Sequence, residues 1–292
     1  MHKDVVAVVP YYNFFGSAWI SENHAKAIQK LNESGVFCYT AEVSLDGVSK
    51  VEESDYHRAI HRKTGSVLWH KEALINMAAR WLRANTKYKY VAWVDSGTFL
   101  SGNWADDFAT KAGAGKFVQL YNKFVYVNKA GTGLVKSEYG AVCGRRRGRF
   151  RGTNPGGAWG CSLSFFSRNM LYPYCVAGGG DRVVYNALIR RPQPYSVYSN
   201  ATLWAANVAH AVDYVDVPLV HLWHCSRDVK YHQDRHLALA ALKYNPRTDV
   251  HLVNGILEWR TAKAPLVKFV GDYLSGRSDG SGVPYMGEVV GG

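Results

Sequence analysis

Apolar residues run unbroken from Val5 to Val9 and stop at Pro10, the pattern of a strand buried on both faces of a sheet. The exit, Pro10-Tyr11-Tyr12-Asn13, is aromatic and polar. Ser21 is a residue type that caps helices, and Ala25, Ile28 and Leu31 follow it on one helical face, with Gly35 just past the end. Val36 to Val43 predicts a second strand with an acid, Glu42, at its terminus. From Leu68 to Arg83 the positions Leu74, Met77, Ala78, Trp81 and Leu82 repeat at helical spacing. Tyr90 to Val94 then predicts a third strand, ended by Asp95-Ser96-Gly97. Strand, helix, strand, helix, strand predicts an α/β fold with a Rossmann-like, mostly parallel open sheet flanked by helices.

Phe117 to Tyr121 predicts a further strand, after which the texture changes. Between Gly131 and Gly160 the chain is rich in glycine and arginine, with five arginines in the eight residues from Gly144 to Arg151, and predicts a mobile basic loop. Regular structure is expected again at Cys161 to Phe166, in a helix starting near Asp181, in a strand from Val217 to Leu222 and in a helix around Lys230 to Leu242. Past Gly271 the sequence is rich in glycine and serine without periodicity. The expected organisation is one domain over 1–271, with halves of about 1–122 and 123–271, and a flexible tail over 272–292.

The chain has 292 residues, 47% of them hydrophobic, with 9 Trp, 19 Tyr and 11 Phe, enough apolar surface to exclude fibrous and disordered classes. Its 35 Lys and Arg against 23 Asp and Glu leave a formal charge of +12, which favours a polyanionic partner; an evenly basic surface is the plain alternative. The 5 cysteines are scattered with no C-x-x-C pair, so no disulfide framework or zinc knuckle is indicated and a reducing compartment is expected. No early segment is long and apolar enough for a spanning helix or ordered like a signal peptide, and a soluble, cytoplasmic protein is expected.

In an open α/β sheet, ligands bind outside the carboxyl ends of the strands, where Pro10-Tyr11-Tyr12-Asn13, Glu42 and Asp95 fall. Neither a G-x-G-x-x-G turn nor a G-x-x-x-x-G-K-[ST] loop is present, which argues against a dinucleotide dehydrogenase and a P-loop enzyme. An aromatic pair and an amide can instead hold one nucleobase, although Tyr11 and Tyr12 can equally be loop packing.

In order and spacing these residues resemble the nucleotide-sugar glycosyltransferases of the GT-A fold. A first strand ends in Pro-Tyr-Tyr-Asn and a second in Glu42. The segment Leu68-Trp-His-Lys-Glu-Ala-Leu-Ile-Asn-Met77 matches a helix whose basic residue and asparagine, here Lys71 and Asn76, face the nucleotide. Tyr90-Val-Ala-Trp-Val-Asp-Ser-Gly97 looks like the strand that delivers a D-x-D metal motif. Asn154-Pro-Gly-Gly-Ala-Trp-Gly160 with Gly178-Gly-Gly-Asp181 resembles the acceptor loop and catalytic acid, and His221-Leu-Trp-His224 resembles the late histidine segment. The resemblance covers Val5 to about His236 and implies a UDP-sugar donor.

Gly97 replaces the second aspartate of D-x-D. Asp95 with His224, or with His221, could still hold Mn2+ or Mg2+ on the diphosphate. Alternatively, metal is dispensable and cations neutralise the diphosphate, with Lys71, Arg227, Lys230 and Arg235 as candidates. The resemblance makes Asp181 the candidate base of an inverting hexosyl transfer; capping of the following helix is its other possible role. His221 and Trp223 can also be core residues.

For the acceptor, Arg145, Arg146, Arg147, Arg149 and Arg151 place positive charge just before the loop of Gly156, Gly157 and Trp159. Trp159, with Phe150 and Tyr172, could stack an extruded base. The chain also resembles compact phage-encoded transferases that glycosylate hydroxymethylated pyrimidines, 5-hydroxymethylcytosine or 5-hydroxymethyluracil, in double-stranded DNA. That acceptor is the first expectation. A surface polysaccharide or lipid-linked glycan is the second, and a non-catalytic DNA-binding protein on a degenerate transferase fold is the third.

Overall fold

A computed structural model describes residues 2–208, 210–223, 234–261 and 263–279. The apolar run near the amino terminus is strand β1, Val5–Tyr11, and every residue of it is buried. It pairs in parallel with β2, Phe37–Ser44, on one side and with β4, Tyr90–Val94, on the other. Side chains alternate across a strand, so β1 serves two layers. Val6 and Val8 pack with Leu74, Ile75 and Ala78 of helix α2, Lys71–Asn85. Val5, Ala7 and Val9 pack with Ile28 and Leu31 of α1, Ala18–Glu33, and with Trp104 and Phe108 of α3, Trp104–Gly113. A sheet covered on both faces is the reason β1 lacks polar positions.

The main sheet has seven strands in the order β11-β6-β10-β4-β1-β2-β3, where β3 is His57–Lys63, β6 Phe117–Gln119, β10 Ala158–Ser162 and β11 Val212–Tyr214. All pairings are parallel except those of β10, which runs against β4 and β6. The α/β class, mostly parallel and flanked by helices, is therefore the one expected. The chain leaves β1 toward β2 and β3 and returns to its other side as β4, so the direction of winding reverses between β1 and β4. In sheets of this kind the crevice opens at that reversal.

A second sheet, in the order β5-β12-β7-β8-β9, stands beside the first; it is formed by β5, Thr98–Leu100, β12, Pro218–His221, β7, Lys123–Val127, β8, Leu134–Gly140, and β9, Thr153–Asn154. This corrects the expectation of a mobile loop over Gly131 to Gly160, a stretch that holds β8, β9, the start of β10 and helix α4, Ala141–Arg146. Buried hydrogen bonds hold it: Gln119 Oε1 accepts from the Val142 amide at 2.9 Å, and the Tyr185 hydroxyl donates to Ala141 O at 3.0 Å.

Helix α6, Gly180–Leu188, begins at the position expected for it, and α7, Ala201–Ala205, and α8, Asp234–Ala241, follow; the expected helical residues 230–233 lie outside the described residues. Strands β13, Val250–Val253, and β14, Ile256–Trp259, form a hairpin over a third hydrophobic cluster. Helix α9, Ala264–Asp279, continues past Gly271 because Leu266, Phe269, Val270 and Leu274 fall on one face and bury in that cluster. Ala25 is exposed, and the buried face of α1 is instead Asn23, His24, Ala27, Ile28 and Leu31. No described helix is long and apolar enough to cross a membrane. Cys38, Cys143, Cys161 and Cys175 are buried free thiols.

Candidate active site

Three distant parts of the sequence meet at the winding reversal. Asp95 follows β4 directly, and its amide donates to Gly157 O at 2.8 Å, which ties it to the start of β10. Lys71 is the first residue of α2, delivered by a turn in which buried His70 Nε2 lies 3.1 Å from Ser66 O. Asp181 is the second residue of α6, which Gly178, Gly179 and Gly180 introduce. Lys71 Nζ lies 2.6 Å from Asp95 Oδ1, and 2.8 and 2.9 Å from the two carboxylate oxygens of Asp181. Two of the ammonium N–H bonds go to Asp181, and Asp95 Oδ1 stands against the ammonium as an ion pair without a hydrogen bond.

Two of the three glycines are required by their surroundings. Gly179 has φ of 101°, a conformation that favours glycine. A Cβ on Gly180 would collide with the carboxyl group of Glu72, which packs beneath the start of α6. Glu72 is buried, and burial pushes its carboxyl up to about 8 against the opposing pull of Lys71. Burial also raises Asp95, though the Lys71 ammonium offsets part of it. Burial opposes the charge on Lys71 itself, but Asp181, Asp95 and Glu72 outweigh it and hold its pKa above the ordinary ammonium range.

Lys71, Asp95 and Asp181 floor a cleft of about 850 Å³. Its lining includes the aromatic side chains Tyr12, Phe14, Trp69, Tyr126 and Trp223, of which Tyr12 meets Phe14 and Trp69 at 5.6 and 5.8 Å between ring centroids, and also Gly179, Arg182, Tyr195 and Arg235. Arg235, 5% exposed, donates from Nη1 to Tyr273 Oη at 2.8 Å and from Nε to His236 Nε2 at 3.2 Å. Burial, with the Arg235 charge beside it, lowers His236 to about 3, so its Nε2 can accept. The Tyr195 ring stacks on His236 with centroids 3.6 Å apart.

The expected site residues separate into two groups. Pro10, Tyr12, Lys71, Asp95, Gly156, Gly157, Asp181, Arg235 and His221 all line the cleft. The structure does not bring Tyr11, Asn13, Glu42 or Asn76 to it. The Tyr11 hydroxyl lies 3.1 Å from Ser21 Oγ, and Asn13 Oδ1 accepts from the Ser17 amide at 2.8 Å, organising the first turn of α1. Glu42, buried, accepts from Ser49 Oγ and from the Lys50 amide. Asn76 exchanges two 2.8 Å hydrogen bonds with the backbone of Leu171.

Trp159 is 3% exposed, packs near Phe117 and Tyr185 and donates its indole N–H to Pro155 O at 2.7 Å; its ring is part of the core and not a stacking surface. Tyr172 is likewise fully buried. Arg145, Arg147, Arg149 and Arg151 are exposed and do not line the cleft; Arg146 pairs with Asp213 at 2.8 Å, and Arg147 and Arg149 lie over the Tyr139 ring. His224, Arg227 and Lys230 lie outside the described residues. Glu72, Arg182 and the β7–β8 residues Tyr126 and Glu138 were not anticipated, although Glu72 and Arg182 adjoin Lys71 and Asp181 in sequence.

The GT-A resemblance implies a divalent metal at Asp95, which the donor set can test. No group of three or more His, Cys, Asp and Glu side chains among the described residues could hold an ion, and the Lys71 ammonium occupies the inner side of Asp95. His221 packs against the Phe124 and Tyr126 rings, which also contact each other. The described residues do not fit a metal there.

No protein-family model and no curated protein matches the chain. Among solved structures it is similar to the crystal structure of S. aureus TarS, at 13% identity and a TM-score of 0.42, covering 82% of this chain and 39% of that one. The chain thus spans less than half the length of that protein, and a likeness so distant assigns no substrate.

Proposed function

We propose that the protein is a nucleotide-sugar glycosyltransferase of the GT-A type whose acceptor is a glycan hydroxyl. The observation that carries this reading is the convergence of Asp95, Lys71 and Asp181 on the floor of one cleft at the winding reversal of the sheet. Asp181 takes the proton of the acceptor hydroxyl as that oxygen bonds to the anomeric carbon. The bond from this carbon to phosphate breaks, and its electron pair leaves with the nucleoside diphosphate. Lys71 orients both oxygens of Asp181. Gly156, whose missing Cβ would stand 3.0 Å from Asp181 Oδ2, leaves the carboxylate open to an incoming sugar.

A glycan acceptor is favoured by the aromatic lining of the cleft, Tyr12, Phe14, Trp69, Tyr126 and Trp223, since pyranose rings stack on such faces. DNA as the acceptor is the second reading, supported by the exposed arginines of the segment from Arg145 to Arg151. It has lost two of its three base-stacking candidates, and three of those arginines already contact Asp213 or Tyr139.

The test is mass spectrometry after incubation with a panel of UDP-sugars and either oligosaccharides or duplex DNA containing 5-hydroxymethylcytosine or 5-hydroxymethyluracil. A sugar increment on an oligosaccharide, absent with Asp181→Asn although that variant still binds UDP, is the expected result. An increment on DNA alone replaces the glycan acceptor with the second reading. Full activity in Asp181→Asn removes the role of Asp181, and an absence of both transfer and nucleotide binding removes the transferase reading.

A further inference from the structure

Two cations are buried in the cleft with opposite surroundings. Lys71 is enclosed by carboxylates, whereas the hydrogen-bond partners of Arg235 among the described residues are the neutral Tyr273 hydroxyl and the His236 ring. A guanidinium 5% exposed whose partners among the described residues are all neutral lines the cleft, and an anionic ligand is the group that such a cation attracts. Its surroundings suit such a ligand. Missing Cβ atoms on Gly178 and Gly179 would each lie 3.3 Å from its Nη atoms, so the glycine backbone runs directly against the guanidinium. These residues lead into the amino terminus of α6, a nine-residue helix in which the Arg182 and Val183 amides donate to Gly179 O at 3.2 and 3.4 Å and those of Gly180 and Asp181 precede the first helical acceptor; Arg182 of the same turn also lines the cleft.

Resting on the donor assignment above, we propose that the donor diphosphate is neutralised by Arg235, Arg182 and the first turn of α6, without a divalent ion at Asp95. A metal at Asp95 would have to displace the Lys71 ammonium or stand beside it, and displacement would leave that ammonium buried without its partners. The protein cations divide the labour: Lys71 neutralises the acids of the floor, and the arginines take the charge of the leaving group. Guanidinium groups fit phosphate oxygens in pairs, which also orients the bond to be broken.

Calorimetric titration of the full chain with inorganic pyrophosphate and with UDP, in chelator and then in Mn2+, tests the proposal. Both ligands are expected to bind in chelator, and Mn2+ is expected to change their affinity by less than about threefold, well under the worth of a charge-assisted contact. Arg235→Met should weaken both by about tenfold or more and Arg182→Ala by a smaller factor, since hydrogen bonds to charged groups are the stronger kind. Binding that requires Mn2+, or that is unchanged in both variants, overturns the proposal and leaves the donor assignment standing. Failure of UDP to bind under either condition overturns both.

Discussion

Lys71 and Arg235 line the same cleft at nearly equal burial, 4% and 5% exposed, yet they are built into the protein in opposite ways. Lys71 has two carboxylates within 2.9 Å, and removing it would leave two half-buried acids repelling one another. Arg235 has neutral partners among the described residues, and removing it breaks no ion pair among them. Burial alone therefore does not separate a cation that holds the fold from one that awaits a ligand; the charge of its neighbours does.

Substituting each by methionine gives the sharpest form of that comparison. Lys71→Met should destabilise by about 3 kcal/mol, the lower end for a broken buried pair, because Asp95 and Asp181 are 33% and 26% exposed and partly hydrated. Arg235→Met should stay within about 1 kcal/mol of wild type or exceed it. Urea unfolding measures both, and equal losses would break the distinction. Next in size is Gly180→Ala, which should cost about 1–3 kcal/mol through overpacking because the new Cβ meets the enclosed Glu72 carboxyl. A neutral Gly180→Ala would mean that Glu72 has room to move and does not set the height of Asp181.

Much of this arrangement was legible in the sequence, and the illegible parts share causes. Unbroken apolar runs disclosed β1 and β4, and the residues that end them, Pro10 and Asp95, led to the cleft. β3 was missed because His57–Lys63 is mostly polar: its histidines, arginines and lysine mark a charged edge strand, whose pattern sequence does not separate from a loop. The stretch from Gly131 to Gly160 reads as mobile because its glycines and arginines mask β8, although β8 pairs with its sequence neighbours β7 and β9. Asn76, a candidate through the family resemblance, and Trp159, a candidate stacking ring, serve the fold instead, the first by bonding the Leu171 backbone and the second within the core. The role of Glu72 depends on the contact with Gly180, more than a hundred residues away, which no local spacing reveals.

Glu72 supplies a smaller and pH-dependent effect. Its native pKa of about 8 lies above its ordinary value of 4.5, so the folded protein keeps a proton that the unfolded chain releases. The stability it contributes is full below about 4.5 and is lost as the pH rises toward about 8, at no more than about 1.4 kcal/mol per pH unit. Buried His24 and His236, both lowered to about 3, act in the opposite direction over acidic pH. Taking the difference between wild type and Glu72→Gln removes their contribution. That difference should decline over the same window, and a flat one would place an ionised carboxylate beside Lys71.

The smallest effect is expected at the most conspicuous charges in the sequence. Arg145, Arg146 and Arg147 are exposed, and the one ion pair they form among the described residues, Arg146 with Asp213, has side chains 51% and 17% exposed, a setting in which solvent screens most of the attraction. Replacing all three with alanine should change stability by less than about 1 kcal/mol. It should also leave pyrophosphate affinity at the mouth of α6 unchanged, since none of the three lines the cleft. If the DNA reading holds, the same variant flattens the salt dependence of duplex binding, because each phosphate contact removed lowers the slope by about one. If the glycan reading holds, it leaves transfer to oligosaccharides intact. An effect on pyrophosphate would join the surface run to the cleft and end the contrast between a buried cation awaiting an anion and exposed ones already screened by water.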